Sequence, residues 1–142
     1  MEVELARIEL LAESLSRTGS AFPASFSTEH LLRFTADVQT VVNALMVGAK
    51  LEGESVTSVR EEFKFHEEVP EARALVETES AVFSLLAKPY INVEDVDSLL
   101  EWVSSLELSG KEPVPLLAGY DANVHAERYA RSLDIEVLRL GL

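Results

Sequence analysis

The stretch Glu71-Ala-Arg-Ala-Leu-Val-Glu-Thr-Glu-Ser-Ala-Val-Phe-Ser-Leu-Leu-Ala-Lys-Pro-Tyr-Ile91 sets the fold class. Two short apolar runs, Ala72 to Val76 and Ala81 to Ala87, flank the polar Glu77-Thr78-Glu79-Ser80. Such a pair of runs reads as a β-hairpin. No Asn-Gly dipeptide marks its tip, and Lys88 stands at the end of the second strand, before Pro89.

Upstream, Val56, Arg60, Phe63 and Phe65 lie among charged residues, the texture of a half-buried strand closing near Pro70. Downstream, Asn92 can cap a helix in which Val93, Val96, Leu99, Leu100, Val103 and Leu106 form one face. Glu94 and Asp95 sit favourably in its positive first turn. Gly110-Lys111-Glu112-Pro113 breaks that helix, and the almost wholly apolar Val114 to Tyr120 reads as a strand buried on both faces. Asp121 is placed to cap a further helix, with Ala122, Ala126, Tyr129, Ala130 and Leu133 inward and a Glu127 to Arg131 pair outward. A last strand, Ile135 to Leu140, follows.

Two helices precede the hairpin region. Leu5, Ile8, Leu11 and Leu15 recur at helical spacing up to about Arg17, where Thr18-Gly19-Ser20 stops the pattern. Ser27 can then cap a second helix striped by Leu31, Phe34, Val38, Val41, Val42 and Leu45, ending before Gly53. The expected fold is therefore α/β, two N-terminal helices followed by a mixed β-sheet with flanking helices, in the order α-α-β-β-β-α-β-α-β. Crossovers through helices make the second half of the sheet parallel, and the hairpin supplies antiparallel neighbours. A single domain over 1–142 is the expectation, with a helical region at 1–50 and an α/β core at 56–142. The apolar stripes leave two roles open for the first region, part of the core or an oligomerisation arm.

Composition narrows the chemistry. The chain of 142 residues has no cysteine, which removes disulfides, thiolate metal sites and thiol nucleophiles. Its formal charge of −13 is shared by both halves. Since Lys and Arg supply nucleic-acid affinity, an acidic surface argues against DNA, RNA and anionic membranes as partners. A start without a basic leader and the lack of any apolar run of about 20 residues predict a cytoplasmic protein. One Gln, Gln39, and three Asn among many Glu and Arg point to a heat-adapted source.

No stretch carries a complete catalytic constellation. His66 and Glu68 would share a face of a strand and are the candidate metal ligands, although two ligands do not make a site and a solvated strand end accounts for them equally. His30, in the first turn of the second helix, reads as a surface residue, and His125 has Glu127 nearby. There is no Gly-x-Ser-x-Gly elbow. The turn Ala118-Gly119-Tyr120-Asp121 holds one glycine, and its Asp121 carboxylate would repel a phosphate, so nucleotide binding is not expected. Trp102, Tyr90 and Tyr120 read as rim aromatics over the core or as interface anchors.

The segment Glu71 to Ile91 resembles the central hairpin of PD-(D/E)xK nucleases, the restriction-endonuclease-like family, and the helix, strand, helix and strand that follow look like that core's continuation. The resemblance covers roughly residues 56–142. The whole is similar to small archaeal domains in which a helical N-terminal region precedes such a core. It implies an Asp on the first hairpin strand and a Glu-x-Lys on the second, which bind a divalent metal and orient the attacking water. Aligned by spacing, the Asp position falls on Arg73 and the Glu-x-Lys on Leu86-Ala87-Lys88, so both acidic ligands are replaced. Glu71 and Glu77 share Arg73's face, Glu79 lies in the turn, and these three are the substitutes available by migration. The expectation is a non-catalytic structural or protein-interaction domain on a degenerate nuclease-like scaffold, self-associating and without cofactor. The alternative is a nuclease or phosphodiesterase with relocated acidic ligands, using Mg or Mn.

Overall fold

In a computed structural model of the chain, residues 28–66 and 69–141 are described. The helix expected up to Arg17 lies outside the described residues. Helix α1 spans Thr28–Leu51 and buries Leu31, Phe34, Val38 and Val42. It ends where Gly53 takes a φ of 84°, a left-handed turn that glycine makes without strain, and Glu54 N–H returns to the Ala49 carbonyl at 2.9 Å.

The chain then runs through β1 (Val56–His66), β2 (Val69–Thr78), β3 (Ala81–Ala87), β4 (Tyr90–Ile91), α2 (Val93–Ser104), β5 (Glu112–Gly119), β6 (Asp121–Ala122), α3 (Val124–Ser132) and β7 (Glu136–Arg139). The main sheet has five strands in the order β1-β2-β3-β5-β7. The first three form an antiparallel meander; β3–β5 and β5–β7 are parallel. This is the mixed sheet expected from a hairpin followed by helical crossovers. The hairpin tip forms without glycine because the Thr78 hydroxyl accepts the Ala81 and Ser80 N–H groups at 3.0 and 3.3 Å.

Alternation along the strands divides the core into two layers. On one face Ala72, Ala74, Val76, Leu85, Ala87, Leu116 and Ala118 pack beneath Phe34, Val38 and Val42 of α1. The second helix of the sequence is thus part of the core. On the other face Leu86 and Leu117 meet Val96 and Leu99 of α2 and Ala126 and Ala130 of α3.

Three expectations need correction, the first being Leu133, expected inward but exposed at the C-terminal end of α3. Pro70 does not close the first strand but lies in β2, opposite Phe65. Asp121 does not cap the last helix: it pairs with Tyr90 in the two-stranded β4–β6 sheet, and Asn123 is the cap, accepting the His125 N–H at 2.8 Å. Asp121 is tied up by β4, an element too short to announce itself by periodicity. Within the described residues, no helix is long and apolar enough to cross a membrane.

Candidate functional site

The candidate site is the part of the β2–β3 hairpin that faces α2. Arg73 and Leu86 are direct cross-strand partners. Leu86 is fully buried under α2 with Val96 and Leu99, where an apolar side chain belongs and a carboxylate would have to be desolvated. Arg73 reaches out from the same row. Its Nε lies 3.2 Å from Glu71 Oε2, and its guanidinium sits 5.2 Å from the centroid of the Trp102 ring on α2. A cation over an indole face is an attractive arrangement, so Arg73 clamps the outer edge of α2 to the sheet.

Lys88 is held as firmly. Its Nζ donates to Asp95 Oδ1 at 2.9 Å, and the other carboxylate oxygen of Asp95 accepts the Asn92 N–H at 2.7 Å. The Asp95 side chain is 7% exposed and that of Lys88 is 23%. The carboxylate therefore serves two structural purposes, satisfying an orphan donor at the start of α2 and neutralising the lysine at the end of β3. Asp95 read from sequence as an ordinary first-turn acid. Its partner stands seven residues earlier across a strand-to-helix turn, a relation that no helical or strand period marks.

The other candidates are dispersed. Glu71 is mostly buried beside Arg73. Glu77 is at the far end of β2, roughly 20 Å away at about 3.3 Å per residue, and is paired with Val82. Glu79 is exposed in the turn beyond it. His66 closes β1 opposite Val69, while Glu68 lies outside the described residues. Among the described residues, no three His, Asp or Glu side chains are grouped so as to hold a metal ion.

Around Arg73 the sheet surface is polar and charge-matched. Glu62 is opposite Arg73, and Lys64 is opposite Glu71. Opposite charges facing each other across antiparallel strands stabilise the pair. Two shallow hollows flank the Arg73–Trp102 clamp, one bounded by Arg60, Glu62 and Leu75 and the other by Ser98, Glu101 and Ser105. Trp102 thus acts as a rim aromatic that is also a clamp.

Tyr120, at the C-terminal end of β5, donates to Asp37 Oδ2 of α1 at 2.5 Å. Burial, with the hydrogen bond and negative charge of Asp37, pushes its phenol far above the ordinary value of 10.0. Tyr129 is raised too, chiefly by its hydrogen bond to Asp97. Tyr90 is open to solvent, and His30 and His125 are exposed as well. At the β7 edge, Arg139 bridges Asp121 and Glu127 beside a concavity also lined by Arg131, Asp134 and Glu136. Its mixed charge favours no single ligand class.

No family model matches the sequence, and no curated protein matches it. Among solved structures, the apo form of EndoMS is similar to this chain at a TM-score of 0.48 and 15% identity. The likeness covers 71% of this chain and 45% of that one. This chain therefore corresponds to less than half of EndoMS, and its site has to be read from its own residues.

Proposed function

We propose that this chain is a non-catalytic protein-interaction domain on a degenerate nuclease-like scaffold. The observation that carries the reading is the use to which the three aligned positions are put. Leu86 is core, Arg73 is a clamp on Trp102, and Lys88 is neutralised by a helix-capping carboxylate. A lysine poised for metal-assisted hydrolysis needs a metal-bound water within reach; here the ammonium is committed to Asp95. The charge of −13 supports a protein partner over a polyphosphate one.

The test has two arms. Full-length protein is titrated with Mn²⁺ and Mg²⁺ by calorimetry and then incubated with single- and double-stranded DNA and RNA. Neither metal uptake nor cleavage is expected. Metal-dependent cleavage that Glu71→Gln abolishes would overturn the reading in favour of relocated ligands. The second arm is light scattering after size exclusion, where a mass above the monomer's 15.7 kDa is expected and a strict monomer would remove self-association.

A further inference from the structure

β1 is the longest strand of the main sheet, with 11 residues, and it lies at the edge. β2 takes one side of it; among the described residues, no strand takes the other. An unpaired edge of that length offers a row of N–H and C=O groups to any extended chain. The opposite edge strand, β7, has only four residues and is a poor template.

Charged side chains on an edge ordinarily keep other strands away. On β1 they have opposite signs on the two sides of one residue: Arg60 precedes Glu61 and Glu62 follows it. Arg60 and Glu62 are both exposed and stand opposite Leu75 and Arg73 of β2, in the row of the Trp102 clamp. If β1 meets its own copy antiparallel about Glu61, Arg60 of each chain faces Glu62 of the other, and opposite charges so placed attract. Glu62 already faces Arg73 within the chain, so the copy's arginine extends a row of alternating sign. On the α1 face the same register sets Val59 against Phe63. Val59 is 38% exposed although its partner Val76 is fully buried, and Phe63 is only partly buried against the core.

We propose that the β1 edge is a self-association surface, on which a second copy of this chain adds its own β1 about a two-fold axis at Glu61. The inference rests on the self-association proposed above and names its surface. Such pairing is closed, since each copy uses the same edge once. An axis normal to the sheet keeps each row of side chains on its own face, so it must lie between two copies of one residue. At Arg60 or Glu62 it would set that charge against itself. At Phe63 it would match Glu62 with Lys64 but set Glu61 against Phe65 and leave Val59 uncovered. At Glu61 the one like-charge contact is Glu61 with its counterpart, and each accepts a hydrogen bond from Gln39 of its own α1. The bulge between Val56 and Ser58 limits regular pairing to residues 58–64 of each chain.

The test is a charge swap in full-length protein, read by light scattering after size exclusion over a range of concentrations. The parent is expected to dimerise. Arg60→Glu and Glu62→Arg are each expected to weaken the dimer at least about tenfold, because each turns two attractive contacts into repulsive ones. An equimolar mixture of the two is expected to recover it, since every charged pair between unlike chains is again of opposite sign. Circular dichroism checks that the variants fold, and Val59→Lys, which sets a charge against Phe63, is a third disruptor that decides the matter if either does not. A parent dimer unchanged by these substitutions would overturn the β1 edge and leave self-association standing, whereas a strictly monomeric parent would remove both. A mixture no more associated than its components would overturn the proposal. So would a dimer broken by Glu62→Arg and untouched by Arg60→Glu, which would move the axis to Phe63.

Discussion

Replacing Lys88 by methionine distinguishes a structural lysine from a catalytic one. Methionine keeps the length of the stem and removes the ammonium, so the change isolates the contact with Asp95. A hydrogen bond between charged partners contributes about 1.5–3 kcal/mol net. The Asp95 side chain is nearly sealed from water, which argues for the upper half of that range. Lys88 retains some solvent contact and Asp95 keeps the Asn92 N–H, which argue for the lower half. The expected loss is about 2 kcal/mol, or roughly 6 °C in the thermal midpoint of a chain this size. The measurement is urea unfolding followed by fluorescence, for which Trp102, the only tryptophan, is a probe on α2 itself. Paired with Asp95→Asn in a double-mutant cycle, the two changes are expected to couple by at least about 1 kcal/mol. A Lys88→Met protein within about 0.5 kcal/mol of the parent would refute the reasoning and return the lysine to the pool of functional candidates.

Arg73→Ala is expected to shift Trp102 emission to the red and to cost about 0.5–1 kcal/mol; an unchanged spectrum would mean that the clamp does not persist in solution. Gly119→Ala is expected to cost about 1–3 kcal/mol, because its Cβ would stand 2.9 Å from the Lys88 carbonyl oxygen and 2.9 Å from Ile91 Cγ1. An alanine variant as stable as the parent in urea would contradict that packing. The Tyr120 phenol keeps its proton in the folded chain well above pH 10, whereas in the unfolded chain it ionises near 10.0. Its contribution is therefore complete below pH 10 and fades as pH rises beyond it. Stability measured from pH 8 to 11 is expected to fall less steeply in Tyr120→Phe than in the parent, and parallel profiles would count against the Asp37 contact.

Elements whose information is local were legible in the sequence. β3 occupies Ala81–Ala87 and α2 starts after Asn92, as the apolar run and the cap indicated. Helix α1 was also read from its period, and the middle of β2 from the apolar run Ala72 to Val76. What escaped depends on distant partners. Asp121 and Asn123 are both good caps, and only the pairing of Tyr90 with Asp121 decides between them. Pro70 reads as a stop, yet a strand tolerates a proline near its start. At the candidate site, the sequence set Arg73 and Leu86 on the two strands of one hairpin, and the two are cross-strand partners. It did not show that Lys88 would meet Asp95 or that Arg73 would lie over Trp102, since both contacts exist only once α2 has folded back onto the sheet.

The meander has a consequence for how the chain comes into being. β1, β2 and β3 pair with immediate neighbours in sequence, so their loop-closure cost is small. The parallel partner of β3 is β5, which arrives only after residues 88–111 have been made. During synthesis, α1 and the antiparallel half can therefore assemble while the far edge of β3 is bare. That edge is the apolar run ending in Leu85-Leu86-Ala87, an open template for another strand. The interval before β5 docks is when this protein is most exposed to mispairing. Changes that lengthen the connection through α2 should lower its yield before they alter its folded stability.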